Sequence, residues 1–109
     1  MIASKIRDLV FSSLDELKAL DPVSINVKKI SNFTDYMMIA TGNSNRHIQA
    51  LSEKVLSNLK ENKINLLGIE GRGEEGWILI DVGDVVLNLM SDRKRNFYDL
   101  ESLWDSDLQ

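Results

Sequence analysis

The chain has 109 residues, 43% of them hydrophobic and 28% charged. A chain of that length buries roughly two-thirds of its unfolded surface. It can therefore build a core, and this balance excludes intrinsic disorder. There is no cysteine and His47 is the single histidine, which excludes a disulfide scaffold, a thiolate metal site, a cysteine nucleophile and a histidine metal cage within one chain. The net charge is −4, which weighs against a non-specific grip on nucleic acid. Residues 1–65 carry +2, residues 66–90 carry −4 and residues 91–109 carry −2. A basic partner is therefore drawn to the C-terminal half.

No apolar run approaches the ~20 residues of a membrane span. The N-terminal segment carries Lys5, Arg7, Asp8, Asp15 and Glu16 within its apolar pattern. It reads as an amphipathic helix and not as a signal peptide, so a cytoplasmic protein without membrane contact is expected. One proline, six glycines and no low-complexity stretch give a single domain over residues 1–109, with a frayed acidic tail at about 105–109.

Ile2, Ile6, Leu9, Val10, Leu14 and Leu17 recur at helical spacing and predict a helix over residues 2–19, stopped by Asp21-Pro22. Val23, Ile25 and Val27 alternate with polar residues, as in a strand with one wet face. Residues 36–40 are apolar on both parities, which suits a central strand covered on both sides. After the Thr41-Gly42-Asn43-Ser44 break, capped by Ser44 or Asn43, Ile48, Leu51, Val55, Leu56 and Leu59 mark a helix to about residue 62. Residues 66–69 form the next strand, ended by Gly71 and Gly73, and residues 77–80 and 85–90 form a hairpin. Phe97, Leu100, Leu103 and Trp104 predict a short closing helix over 97–104. The order α-β-β-α-β-β-β-α is that of an α/β domain with helices packed on a mixed five-stranded sheet.

A two-residue connection at Val82-Gly83 pairs Asp81 with Asp84 and sets Leu79 opposite Val86 and Trp77 opposite Asn88. One face of the hairpin is then Ile78, Ile80, Val85, Leu87 and Leu89, wholly apolar; Leu67 and Ile69 share its parity. The other face carries Trp77, Leu79, Asp81, Asp84, Val86, Asn88 and Met90, with Glu70 beside it. An aromatic anchor within a polar rim is the composition of a partner-binding patch. The plainer reading is that a helix covers Trp77 and Leu79 and leaves the acids at its edge.

The turn at 41–47 opens a helix, and Ser44, Arg46 and His47 are candidates for contact with an anion or polar group. The turn lacks both the Gly-Lys-Ser/Thr ending of a P-loop and the further glycines of a dinucleotide fingerprint. A capped helix with Arg46 and His47 solvated, or paired to Glu70 or Asp81, fits it better. A metal-dependent nucleotidyltransferase needs carboxylates that converge on metal ions. The strand after the long helix offers only Glu70, and Asp81 and Asp84 flank a turn. No catalytic residue, cofactor or metal is expected. Arg93-Lys94-Arg95 reads as a solvated loop, with Ser91 as a cap.

Asp35-Tyr36, Ile39-Ala40-Thr41-Gly42 and Ser44-Asn45-Arg46-His47 resemble the D-[YF]-x-x-I-x-T-G-x-S-x-R-H stretch of the ribosomal silencing factor family (RsfS, also called Iojap-related). Glu70-Gly71, Trp77 to Asp81, Gly83 to Val86, Phe97 to Glu101 and Leu103-Trp104 continue the resemblance in order, over nearly the whole chain. Asn88 stands where the family usually has histidine, and Asn43 and Asn45 replace common threonine or serine. The resemblance implies a nucleotidyltransferase-like fold without transferase activity. It further implies binding to the large ribosomal subunit through its ribosomal protein number fourteen, blocking of the small subunit, and repression of translation when nutrients run short. Organelle relatives are linked to large-subunit assembly, and the resemblance implies that a homodimer can form. On this reading Trp77 and Leu79 anchor the ribosomal protein, Glu70, Asp81, Asp84, Asn88 and Tyr98 surround them, and direct contact with ribosomal RNA is slight.

Overall fold

The computed structural model describes residues 2–71 and 76–104. Its elements run α1 (Ala3–Glu16), β1 (Leu20–Asn26), β2 (Tyr36–Thr41), α2 (Asn45–Glu61), β3 (Gly68–Glu70), β4 (Trp77–Asp81), β5 (Val85–Met90), α3 (Asp92–Tyr98) and α4 (Leu100–Trp104). The strands form one sheet in the order β1-β2-β5-β4-β3. β2 and β5 pair in parallel and every other pair is antiparallel, so the expected mixed five-stranded sheet forms. The acidic tail expected to fray at 105–109, and Gly73, lie outside the described residues.

α1 and α2 lie side by side on one face. Ile6, Val10 and Leu14 of α1, and Ile48, Leu51, Val55 and Leu59 of α2, close over Tyr36, Met38, Ala40, Ile78, Ile80, Val85, Leu87 and Leu89. The 3.6-residue period of the helices and the two-residue period of the strands thus deliver their apolar sets to the same layer. Gly42 lets α2 start close to β2, because a Cβ there would lie 2.6 Å from the Ile48 side chain and 3.0 Å from its backbone nitrogen.

The first helix is shorter than the apolar spacing predicts. It ends at Glu16, before Pro22 can stop it, because Lys18 turns left-handed (φ 57°). The N–H groups of Ala19 and Lys18 donate to the Leu14 and Asp15 carbonyls, a Schellman closure. Pro22 instead sits within the edge strand β1, where the pairing register breaks between Leu20 and Val23.

The hairpin turn is centred on Gly83-Asp84, one residue later than expected: the Val82 N–H donates to the Val85 carbonyl at 3.0 Å, and Gly83 takes φ 89°. Trp77 therefore pairs with Met90, Leu79 with Asn88 and Asp81 with Val86. The slip is two residues, an even number, so every side chain keeps its face. Leu67 is a further correction. It lies before the first residue of β3 and is 69% exposed, whereas Ile69 packs on the core as its parity requires.

The C-terminal segment holds two helices where one was expected. Ser91 accepts the Lys94 N–H and starts α3, so the basic run is helical and not a loop. Asp99 then turns left-handed (φ 47°) and separates α3 from α4. Arg95 is 9% exposed and locks the pair down. Its guanidinium donates to Thr41 Oγ1 at 3.0 Å and to both carboxylate oxygens of Glu101, at 2.9 and 3.3 Å.

Candidate docking face

α3 and α4 belong to the second face of the sheet and cover only part of it. Val86, Asn88 and Met90 are buried, while Trp77 and Leu79 of the neighbouring strand remain half-buried. The face is thus neither fully open nor fully covered. Leu79 and Trp104 pack against a small second cluster of Val27, Met37 and Val86.

Trp77 is held from two directions. Its indole N–H donates to Asn88 Oδ1 at 3.0 Å, the diagonal partner across the hairpin. Its ring lies 4.9 Å from that of Tyr98, tilted by 48°. Asn88 is 2% exposed and donates from Nδ2 to Met37 Sδ at 3.1 Å and to the Met38 carbonyl at 3.4 Å. It is thus placed to orient Trp77 and not to meet a partner itself. Tyr98, the last residue of α3, is 50% exposed.

Glu70 pairs with Leu79 across β3 and β4. Glu70, Gly71, Trp77, Leu79 and Lys94 line one groove. Gly71 has φ 85°, and a Cβ there would lie 2.1 Å from the Trp77 carbonyl oxygen, so only glycine allows β3 to approach the anchor. Lys94 brings a positive charge to a rim that the sequence reads as acidic.

Asp81 and Asp84 lie at the other end of the hairpin. Asp81 is four residues along the strand from Trp77, about 13 Å. Its Oδ1 accepts the Gly83 N–H at 2.8 Å, which shapes the turn. Asp84 is exposed at the turn, and its carbonyl accepts the Asp35 and Tyr36 N–H groups. The structure thus gathers Trp77, Leu79, Glu70, Asn88 and Tyr98, and leaves Asp81 and Asp84 as a separate acidic end.

The turn at 42–47 is not part of this face. Ser44 caps α2 by accepting the His47 N–H at 3.0 Å. His47 pairs with neither Glu70 nor Asp81. Its Nδ1 accepts the Asn43 N–H at 2.9 Å and its Nε2 lies 2.7 Å from the Leu17 carbonyl oxygen. That pattern assigns the ring proton to Nε2 and makes the ring a tie between the start of α2 and the end of α1. Arg46 is exposed. Among the described residues no group of three His, Asp or Glu side chains could hold a metal ion. No described helix is long and apolar enough to cross a membrane.

The sequence reading missed α3, and with it the meeting of Arg93, Lys94, Phe97 and Tyr98 on one short helix. The signal was present: Ser91 as a cap, Asp92 in the first turn and Arg95 in the last.

Residues 3–109 match the family model described as "Ribosomal silencing factor during starvation". The chain belongs to the ribosomal silencing factor family. It is 36% identical to the ribosomal silencing factor RsfS of Chromobacterium violaceum, over 95% of this chain and 85% of that protein. A crystal structure of a Chromobacterium violaceum protein superposes with a TM-score of 0.93 at 36% identity, covering 95% of this chain and 87% of that one. A mouse protein named for mitochondrial assembly of the ribosomal large subunit is 34% identical over 89% of this chain and 44% of its own length. In this chain Trp77 to Asp81 is the strand β4 that presents Trp77 and Leu79, and Ser44 to His47 is the capped start of α2.

Proposed function

We propose that this protein represses translation in the cytoplasm by binding the large ribosomal subunit, through ribosomal protein number fourteen, and filling the space where the small subunit docks. The action is steric and makes or breaks no covalent bond. The observation that carries this reading is the half-open Trp77, braced by Asn88 and Tyr98 beside Leu79 and Glu70. A rigid aromatic anchor with a polar edge is the usual centre of a protein interface. The charge of −4 over residues 66–90 favours a basic ribosomal protein as partner. Membership of the family supplies the ribosomal setting.

The test is sedimentation with separated ribosomal subunits. The protein should travel with large subunits and reduce their joining to small ones. Trp77→Ala should weaken binding at least about tenfold. A folded Trp77→Ala variant that sediments with large subunits as well as the native protein removes the assigned face. Calorimetry with ATP, CTP and Mg²⁺ tests the enzymatic alternative, a nucleotide-dependent transferase, which micromolar binding would favour. A second reading, a role in building the large subunit, is favoured by the mouse relative's name. Depletion separates the two: repression predicts normal large subunits that join too readily, and assembly predicts incomplete ones.

A further inference from the structure

Next to the docking face, Asn45, Gly76, Ser91, Arg93, Lys94, Phe97 and Tyr98 line an open cleft of about 770 Å³. We propose that this cleft binds a single strand of nucleic acid, with phosphates on Arg93 and Lys94 and a base stacked on Phe97. Phe97 is 78% exposed, although its ring stands edge-on to Tyr98 at 5.0 Å. A ring so placed adds little to the core and leaves most of its surface available for stacking. Arg93 and Lys94 form no ion pair among the described residues, while the third member of the run, Arg95, is fully engaged with Glu101 and Thr41. Within one short helix, two cations with no ion-pair partner among the described residues and an exposed ring thus face the same hollow.

The pairing of these groups selects the ligand. An acidic peptide would use the cations and leave the ring in water. An apolar protein segment would cover the ring and bury two cations without partners, which is costly. A nucleotide strand uses both, since its charge and its π-faces alternate along the chain. The net charge of −4 keeps such binding local to this cleft and sensitive to salt. RNA is the strand to test in a family named for ribosomes. The cleft shares Lys94 and Tyr98 with the docking face, but the test uses the free protein and a free oligomer, so its failure leaves the protein-docking reading standing.

The experiment is fluorescence anisotropy of a labelled uridine hexamer titrated with the intact protein at low salt. Saturable binding is expected, with log K falling against log salt at a slope of about −1.4 for two phosphate contacts on a single strand. Phe97→Ala should weaken binding roughly fivefold or more, and Phe97→Tyr should retain it. Arg93→Gln combined with Lys94→Gln should flatten the salt dependence toward zero. Phe97 and Arg93 are exposed, so these variants keep the fold, and circular dichroism checks it. Three results would overturn the proposal: no saturable binding, Phe97→Ala binding like the native protein, or a glutamate hexapeptide competing as well as unlabelled RNA. The last would reduce the cleft to a general anion surface.

Discussion

Beneath α1 and α2 the sheet is closed: Ile78, Ile80, Leu87 and Leu89 are all 1% exposed or less. On the opposite face the alternate residues of the same strand β4, Trp77 and Leu79, stay half open under two short helices. The strand is identical in both cases. What differs is the cover, two amphipathic helices of 14 and 17 residues against two of 7 and 5. The long pair buries a continuous apolar layer and stabilises the fold. The short pair is held by a few specific bonds, from Arg95 to Thr41 and Glu101, and leaves the anchor accessible. One strand can therefore serve stability and recognition because its two faces are energetically separable.

The largest effect should fall on the closed face. Leu87→Ala should cost about 2–5 kcal/mol of unfolding free energy, measured by urea denaturation, because the cavity it leaves has no nearby solvent. Where the variant is still folded, its affinity for large subunits should be native. Equal losses of stability and affinity would mean that the two faces do not act separately.

Asn88→Leu probes the join between the faces. Leucine keeps the volume but removes the acceptor of the Trp77 indole N–H. We expect a stability loss of about 1–3 kcal/mol, and a weaker hold on the large subunit. Trp77→Phe leaves the buried Asn88 Oδ1 without its donor, so it should cost stability by a similar amount. A native-like Asn88→Leu variant would show that Trp77 is positioned by Tyr98 alone.

Glu101→Ala tests the light cover itself. Arg95 would keep only Thr41, and Glu101 is partly exposed, so the expected cost is about 1 kcal/mol. That cost should appear as faster hydrogen exchange in residues 100–104 with little change in global unfolding. Unchanged exchange there would assign the docking of α4 to Trp104 and its packing on Val27, Met37 and Val86.

The closed face was the more legible of the two in the sequence. Its rule is periodicity, and parity on β4 and β5 survives the one-residue shift of the turn, which moves the pairing by two. The open face depends on long-range bonds that no local pattern encodes. Nothing in the spacing of Trp77 and Asn88 announces their hydrogen bond, and 30 residues separate His47 from the Leu17 carbonyl that claims its Nε2. α3 escaped because its residues DRKRNFY carry little apolar pattern, and only its capping chemistry marks it. The residues singled out for docking include the cluster the fold assembles, Trp77, Leu79, Glu70, Asn88 and Tyr98. The two aspartates came in through parity alone, which fixes a face and says nothing of distance along it.

That distance gives the smallest prediction. Asp84 is exposed at the turn and bonds to neighbours through its backbone carbonyl, so Asp84→Lys reverses a charge without removing a side-chain contact. Asp81→Lys would confound the result, because Asp81 fixes the turn through the Gly83 N–H. A charge about 13 Å or more from Trp77 lies beyond the Debye length of about 8 Å at physiological salt. Asp84→Lys should therefore slow association with large subunits only a few-fold at low salt, leave the dissociation rate unchanged, and lose its effect as salt rises. Stopped-flow measurement across a salt series reads all three. A changed dissociation rate would place Asp84 inside the interface and extend the docking surface along the whole hairpin, from Trp77 to the turn.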